Sequence, residues 1–203
     1  MYNISYFKEV DKKIIIAIMK ENSFAMVTGT GREYPVATQI PLEIEEKEGK
    51  IFLHGHLMKK TDHHLAFEKN NNVLVLFTGP HCYVSAAWYN DPHTASTWNY
   101  MTVHARGKIT FTDEEGTYEA VKTVTNKYEG VETKAAFNNM PQEYVNPLLK
   151  AIVGFSIEVE KLENVFKLSQ NKTKEEQHNI INHLTKRNKK DDLLIATEMQ
   201  KRL

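Results

Sequence analysis

The fold of this chain is decided by the stretch Trp98-Asn99-Tyr100-Met101-Thr102-Val103-His104-Ala105-Arg106-Gly107, whose pattern continues through Lys108-Ile109-Thr110-Phe111. Apolar and polar residues alternate along it, which predicts one long β-strand with two different faces. The first face is apolar and carries Met101, Val103, Ala105, Gly107, Ile109 and Phe111. The second face carries Trp98, Tyr100, Thr102, His104, Arg106 and Lys108. Two aromatic rings beside a hydroxyl, an imidazole and two cations suit a planar, polar, anionic ligand, but a half-buried antiparallel strand also places polar residues outward.

Strand and helix patterns continue on both sides of this segment. Strands are predicted at 23–30, 34–44, 51–57, 73–78, 83–85 and 153–159, with Gly79-Pro80 as an interruption and 86–96 as a loop. Helices are predicted at 11–21, 61–70, 118–128, 141–151, 174–187 and 191–203. Strands joined mostly by short turns predict an α+β fold, a small antiparallel barrel with helices around it. Because a lone barrel would leave apolar helix faces uncovered, we expect a dimer.

Length, charge and cysteine content limit the classes of protein. The 203 residues fit a single domain, 1–203, which includes the C-terminal helices from about residue 173. With 26 basic and 26 acidic residues the net charge is zero, which gives no support to binding of nucleic acid or of an anionic membrane. Cys82 is the single cysteine, and we expect a small buried residue rather than a reactive thiol. The sequence has no apolar run long enough for a membrane span, and no signal peptide is predicted, so we expect a cytoplasmic protein.

Metal-binding and nucleophilic motifs do not emerge from the sequence. Several histidines lie close together in the chain, but His63 and His64 are adjacent and diverge on a helix, and Cys82 has no partner. A metal centre needs three or four converging ligands, so no metal site is predicted. No G-x-S-x-G elbow occurs, and no catalytic residue can be assigned.

Two groups of residues have the chemistry of a ligand site. Lys59, Lys60 and Thr61 stand where a strand ends and a helix begins, which suits a phosphate but equally suits a solvated pair beside a helix cap. Four aromatic residues bracket the 86–96 loop: Trp88, Tyr89, Trp98 and Tyr100. These rings either bury area in a core or dimer interface, or wall a slot for a flat ring system whose polar edge Asn99 would address.

Several ordered blocks of the chain resemble one known family. The blocks are Gly55-His56-Leu57, Phe77-Thr78-Gly79-Pro80-His81-x-Tyr83-Val84-Ser85, Trp88-Tyr89, Thr97-Trp98-Asn99-Tyr100-x-x-Val103-His104-x-x-Gly107, Ala151-Ile152-Val153-Gly154 and Lys167-Leu168-Ser169-Gln170-Asn171. Together they are similar to the PaiB-type, FMN-binding negative transcriptional regulators. The resemblance implies an antiparallel split β-barrel of the pyridoxine phosphate oxidase type with peripheral and C-terminal helices. It also implies a homodimer with FMN in clefts between subunits.

The resemblance also implies roles for individual residues. His56 and Lys59 would lie near the phosphate, where Thr61 also stands, and Trp98, Asn99 and Tyr100 would border the flavin, with His104 on the same strand. The C-terminal contribution would come from Lys167, Ser169, Gln170 and Asn171. The predicted function is therefore an FMN-binding regulator, and the alternative is a flavin-dependent oxidoreductase or flavin reductase-like enzyme. DNA stays an open partner, although Lys186-Arg187-Asn188-Lys189-Lys190 is the only basic cluster and such runs are mostly solvated.

Overall fold

The computed structural model describes residues 1–91 and 93–203, so position 92 of the predicted loop lies outside the described residues. The helices of the described residues are α1 (Lys12–Glu21), α2 (Asp62–Lys69), α3 (Glu114–Glu129), α4 (Gln142–Lys150), α5 (Lys174–Arg187) and α6 (Lys190–Gln200). The strands are β1 (Phe24–Thr30), β2 (Pro35–Pro41), β3 (Glu43–Lys47), β4 (Lys50–Met58), β5 (Asn72–Val84), β6 (Thr97–Phe111) and β7 (Ile152–Lys167). Within the described ranges, none of the helices combines the length and apolar character that a membrane span requires.

All seven strands belong to one sheet, in the order β2-β1-β5-β6-β7-β4-β3. Two hairpins, β1–β2 and β3–β4, supply its ends, and β4 also pairs antiparallel with β7. The antiparallel pairing of consecutive strands and the surrounding helices confirm the predicted α+β class.

The alternation predicted for β6 is confirmed. Its apolar face is buried from Met101 through Ile109, whereas Trp98 and Arg106 are exposed. Gly107 belongs to the buried face for a steric reason, because a Cβ atom there would stand only 2.2 Å from the carbonyl oxygen of Glu158. Close approach of two backbones is one of the few situations that require glycine in a strand.

Three details of the strand prediction were wrong, and one of them is the end of β7, which is Lys167 rather than residue 159. The segment 34–44 is two strands, since β2 ends at Pro41 and β3 begins at Glu43; the N–H of Leu42 between them donates to the carbonyl of Ser23 at 2.9 Å. Gly79-Pro80 does not interrupt the sheet, since β5 runs through both residues. The ladder of β5 with β1 runs from Leu74 to Leu76, so Pro80 lies beyond it, where the missing N–H costs no hydrogen bond on that side.

The residues at the helix ends form standard capping interactions with their sequence neighbours. Thr173 and Glu176 form a capping box at the start of α5, and Asn188 ends that helix in the left-handed conformation with φ +56°. Asp113 caps α3 by accepting from the N–H of Gly116 at 2.9 Å. The helix bounds agree with the predicted ones to within four residues, and the largest difference is at α3, which begins after the Asp113 cap at Glu114 rather than at residue 118.

The chain folds as two compact units, each built from segments that are separated in sequence. Unit 1 consists of Met1–Ile18, Thr78–Val103 and Glu163–Leu203, and unit 2 consists of Met19–Phe77 and His104–Leu162. Unit 1 buries the helical pair α5 and α6 through Ile180, Leu184 and Ile195. Unit 2 buries Val27, Leu53 and Phe155 of the sheet. The single-domain organisation stays a prediction.

Candidate flavin-binding site

The outward face of β6 carries an aromatic cluster at its N-terminal end. The indole of Trp98 is 53% exposed, and its centroid lies 5.9 Å from the imidazole of His81 and 6.2 Å from the ring of Tyr83. Tyr100 follows on the same face and is half-buried, and burial raises the pKa of its phenol. Contiguous exposed apolar surface of this kind is a common feature of binding sites.

His81 and Tyr83 were absent from the predicted site. Their spacing of two residues on β5 was the signal that could have found them, because such residues share a strand face. The predicted interruption at Gly79-Pro80 hid this alternation, since it separated both residues from the preceding strand.

Asn99 points away from that cluster, into the core. It is fully buried, and its Nδ2 and Oδ1 atoms lie 3.0 and 3.1 Å from the hydroxyl of Ser169, which is itself buried. The same amide nitrogen lies 3.6 Å from the sulfur of Met199. Consecutive strand residues face opposite sides, so Asn99 cannot share the face of Trp98 and Tyr100. The geometry gives Asn99 and Ser169 a structural role, and their contact with a flavin stays a prediction.

The C-terminal donors after β7 are also partly used within the protein. The Lys167 ammonium donates to the hydroxyl of Thr97, and burial lowers the pKa of this lysine. Gln170 accepts from the N–H of Leu168 at 2.7 Å and donates to the carbonyl of Phe166, which closes the turn around Ser169. Asn171 is exposed. Asn171 therefore carries the polar group of this segment that is best suited to an external ligand.

In unit 2, the predicted phosphate residues lie around the end of β4. His56 is half-buried opposite Gly154 of β7, and burial lowers the pKa of its imidazole, so the ring is neutral at neutral pH. The backbone N–H of Lys59 donates to the carbonyl of Ala151 at 2.9 Å, which fixes the chain at the base of this lysine. His104 is half-buried on the outward face of β6.

Thr61 acts as the cap of α2. Its hydroxyl donates to the carbonyl of Met58 at 2.9 Å and accepts from the N–H of His64 at 3.4 Å. Hydrogen bonds from His63 lower the pKa of the neighbouring Asp62, which keeps a negative charge in the first turn. A phosphate beside this turn would therefore depend on the Lys59 ammonium rather than on the helix N-terminus.

Arg187 of the predicted basic cluster is hydrogen-bonded within the protein, and Cys82 is buried. The Arg187 guanidinium donates to both carboxylate oxygens of Asp192, at 2.6 and 2.5 Å, and to the carbonyl of Tyr83 at 2.9 Å. Cys82 is 3% exposed, which confirms the prediction of a small buried residue, and burial raises the pKa of its thiol to about 12. Among residues 1–91 and 93–203, no cluster of three His, Cys, Asp or Glu side chains has the arrangement of a metal site.

The sequence of residues 1–161 matches the family described as "Putative FMN-binding domain". The chain belongs to this FMN-binding-domain family. A relative from Bacillus subtilis strain 168, "Protease synthase and sporulation protein PAI 2", is 34% identical over 185 residues, which cover 91% of this chain and 89% of the relative. This similarity confirms the resemblance to the PaiB-type proteins.

Solved structures support the fold of the family member. The flavocytochrome Anf3 from Azotobacter vinelandii has a TM-score of 0.62 at 14% identity, over 82% of this chain and 72% of that one. The FAD and heme binding protein from Mycobacterium smegmatis has a TM-score of 0.58 at 12% identity, over 78% of this chain and 72% of that one. At such identities the likeness concerns the fold alone, and it confirms the predicted split-barrel architecture.

Proposed function

We propose that this chain binds FMN as a homodimer, with the flavin at the interface between two subunits, and that it acts as a flavin-binding regulator of the PaiB type. In this proposal the whole chain, including α5 and α6, is one domain. The observation that carries the proposal is the outward face of β6, where Trp98 is exposed although indole rings are usually buried. Membership of an FMN-binding-domain family supports FMN as the flat ligand of such a surface.

Three of the predicted residues have a defined part in the proposal. Trp98 and Tyr100 cover the isoalloxazine ring, and Lys59 supplies the positive charge for the phosphate. The other proposed contributors are His56, Thr61, Asn99, His104, Lys167, Ser169, Gln170 and Asn171. Bound FMN would supply redox chemistry, and the protein would supply orientation and exclusion of water.

Titration with two flavins tests the phosphate assignment. Riboflavin has the ring of FMN without the phosphate, so Lys59→Ala should weaken FMN binding about 10–100-fold and leave riboflavin binding unchanged. Lys69→Ala, at the exposed C-terminal end of α2, is the matched control and should leave both affinities unchanged. Equal loss of both flavins, or no loss of FMN, would contradict the role given to Lys59.

Trp98→Leu tests the ring assignment in the same titration. It should weaken FMN and riboflavin by a similar factor, about 5–100-fold, because ring contact does not depend on the phosphate. Tyr34→Leu, which alters a largely exposed ring elsewhere, should change neither affinity. If Trp98→Leu leaves both affinities unchanged, the outward face of β6 is not the flavin surface.

The oligomer and the class of activity need separate measurements. Light scattering after gel filtration should give twice the 23.4 kDa mass of the chain, and a monomeric mass would refute the interface site. Because Arg187 is engaged by Asp192, a gel-shift titration should show at most weak, salt-sensitive DNA binding. Steady oxidation of a nicotinamide by the flavin-loaded protein would favour the oxidoreductase alternative instead.

A further inference from the structure

Unit 2 contains a cavity between one face of α3 and the sheet. Its volume is about 260 Å³. The α3 side is formed by residues spaced three or four apart, which is one face of a helix: Gly116, Glu119, Ala120, Thr123, Val124, Lys127 and Tyr128. The sheet side includes Leu42, Gly55 and Phe155. None of the residues proposed for the flavin lines this cavity.

Every ionisable side chain in the wall already has a partner in the protein. Glu43 pairs with Lys127 at 2.6 Å, and Glu119 pairs with Lys122 at 3.1 Å. His54 lies 2.9 Å from a carboxylate oxygen of Glu45.

At the end of α3, the Tyr128 hydroxyl lies 3.4 Å from the hydroxyl of Ser23. A charged ligand would lose its own hydration on entering the cavity, and contacts with these partly exposed, already paired groups would repay little of that cost.

Size and polarity together define the ligand that fits. Apolar cavities of about 150 Å³ bind benzene, so a cavity of this volume accommodates a molecule with two fused rings. Leu42, Ala120, Val124 and Phe155 supply an apolar lining, which is the usual character of a small-molecule site. We propose that this cavity is a second ligand site, separate from the flavin site, which takes an uncharged bicyclic aromatic molecule.

The environment-sensitive neutral fluorophore Prodan, a substituted naphthalene, is a suitable probe for the full-length protein. Prodan should bind with a blue-shifted, enhanced emission, and neutral 2-naphthol should displace it. Anionic 2-naphthalenesulfonate, which has the same rings, should be at least about tenfold weaker as a competitor. Absence of Prodan binding, or equal competition by the two naphthalenes, would overturn the proposal.

A matched pair of variants on α3 locates the probe. Thr123 is exposed and lines the cavity, so Thr123→Phe should fill it and weaken Prodan binding at least about tenfold. Thr125→Phe adds the same ring two residues away, outside the lining, and should leave the affinity unchanged. Thermal melting checks that both variants fold. If Thr123→Phe does not fold, Thr123→Leu adds a smaller side chain and should weaken Prodan binding by an intermediate factor.

A Prodan titration in the presence of FMN distinguishes this second site from the proposed flavin site. Saturating FMN should leave Prodan affinity unchanged, because the two residue sets share no member. Displacement of Prodan by FMN would place the probe in the flavin site and overturn the inference. A chain that binds Prodan in this way but binds no flavin would refute the proposed function while leaving the second site intact.

Discussion

Replacing Ser169 by alanine should destabilise the protein, because this hydroxyl is the hydrogen-bonding partner of a fully buried amide. The Asn99 side chain has no exposure to solvent, and the Ser169 hydroxyl lies 3.0 Å from its nitrogen and 3.1 Å from its oxygen. Without the hydroxyl, the described contacts of the Asn99 side chain are reduced to the Met199 sulfur at 3.6 Å, which is a weak acceptor.

The expected magnitude follows from the desolvation of that amide. A buried polar group that loses its partner costs about 1–3 kcal/mol of the free energy of unfolding. For a chain of this length, each kcal/mol lowers the melting temperature by about 2–4 °C, so the midpoint should fall by about 2–12 °C. Urea unfolding and calorimetry measure both quantities. Ser5→Ala removes an exposed hydroxyl and should stay within about 0.5 kcal/mol of the wild type.

A double-mutant cycle tests whether the cost belongs to the pair. Asn99→Leu removes the amide to which the Ser169 hydroxyl is hydrogen-bonded. In that background, Ser169→Ala should therefore lower the free energy of unfolding by less than it does in the wild type, with a coupling energy of about 0.5–3 kcal/mol. Additive energies, or a Ser169→Ala midpoint equal to that of the Ser5→Ala control, would refute the reasoning. If stability is unchanged but FMN binding is lost, Ser169 serves the flavin rather than the core.

Three further outcomes are expected from the described contacts. Cys82, buried with a pKa of about 12, should react with a disulfide reagent at pH 8 only after unfolding in guanidinium, and rapid native-state labelling would contradict its burial. Asp192→Asn should lower the free energy of unfolding by about 1–3 kcal/mol. This loss is smaller than that for a fully buried ion pair, because the Arg187 partner is partly exposed. The control Asp191→Asn should change the free energy of unfolding little. Burial lowers the pKa of the His56 imidazole below its ordinary 6.5, so near that pH the unfolded chain binds more protons than the folded one. The stability that comes from keeping this imidazole neutral is therefore fully present above pH 6.5 and is lost as the pH falls below it. His56→Gln should flatten that part of a profile of the free energy of unfolding in urea against pH.

Residue pattern alone determined most elements of this protein; the separation of β2 from β3 and the continuity of β5 were exceptions. The alternation of β6 and the caps of α3 and α5 depend on neighbours within a few residues, so they could be predicted without the fold. The family followed from ordered blocks of residues, and the charge balance pointed away from nucleic acid.

Only the tertiary structure decided which polar groups are free for a ligand. Asn99 and Ser169 are 70 residues apart in the chain, and Arg187 and Tyr83 are 104 apart, yet each pair is joined by a hydrogen bond. Local pattern carries no information on partners at such distances, so it could not show that these side chains already have hydrogen-bonding partners within the protein. The cavity beneath α3 likewise arises from packing between a helix and strands distant in sequence. Periodicity states which face of an element is apolar, whereas its partners and any space left between them depend on how the elements assemble.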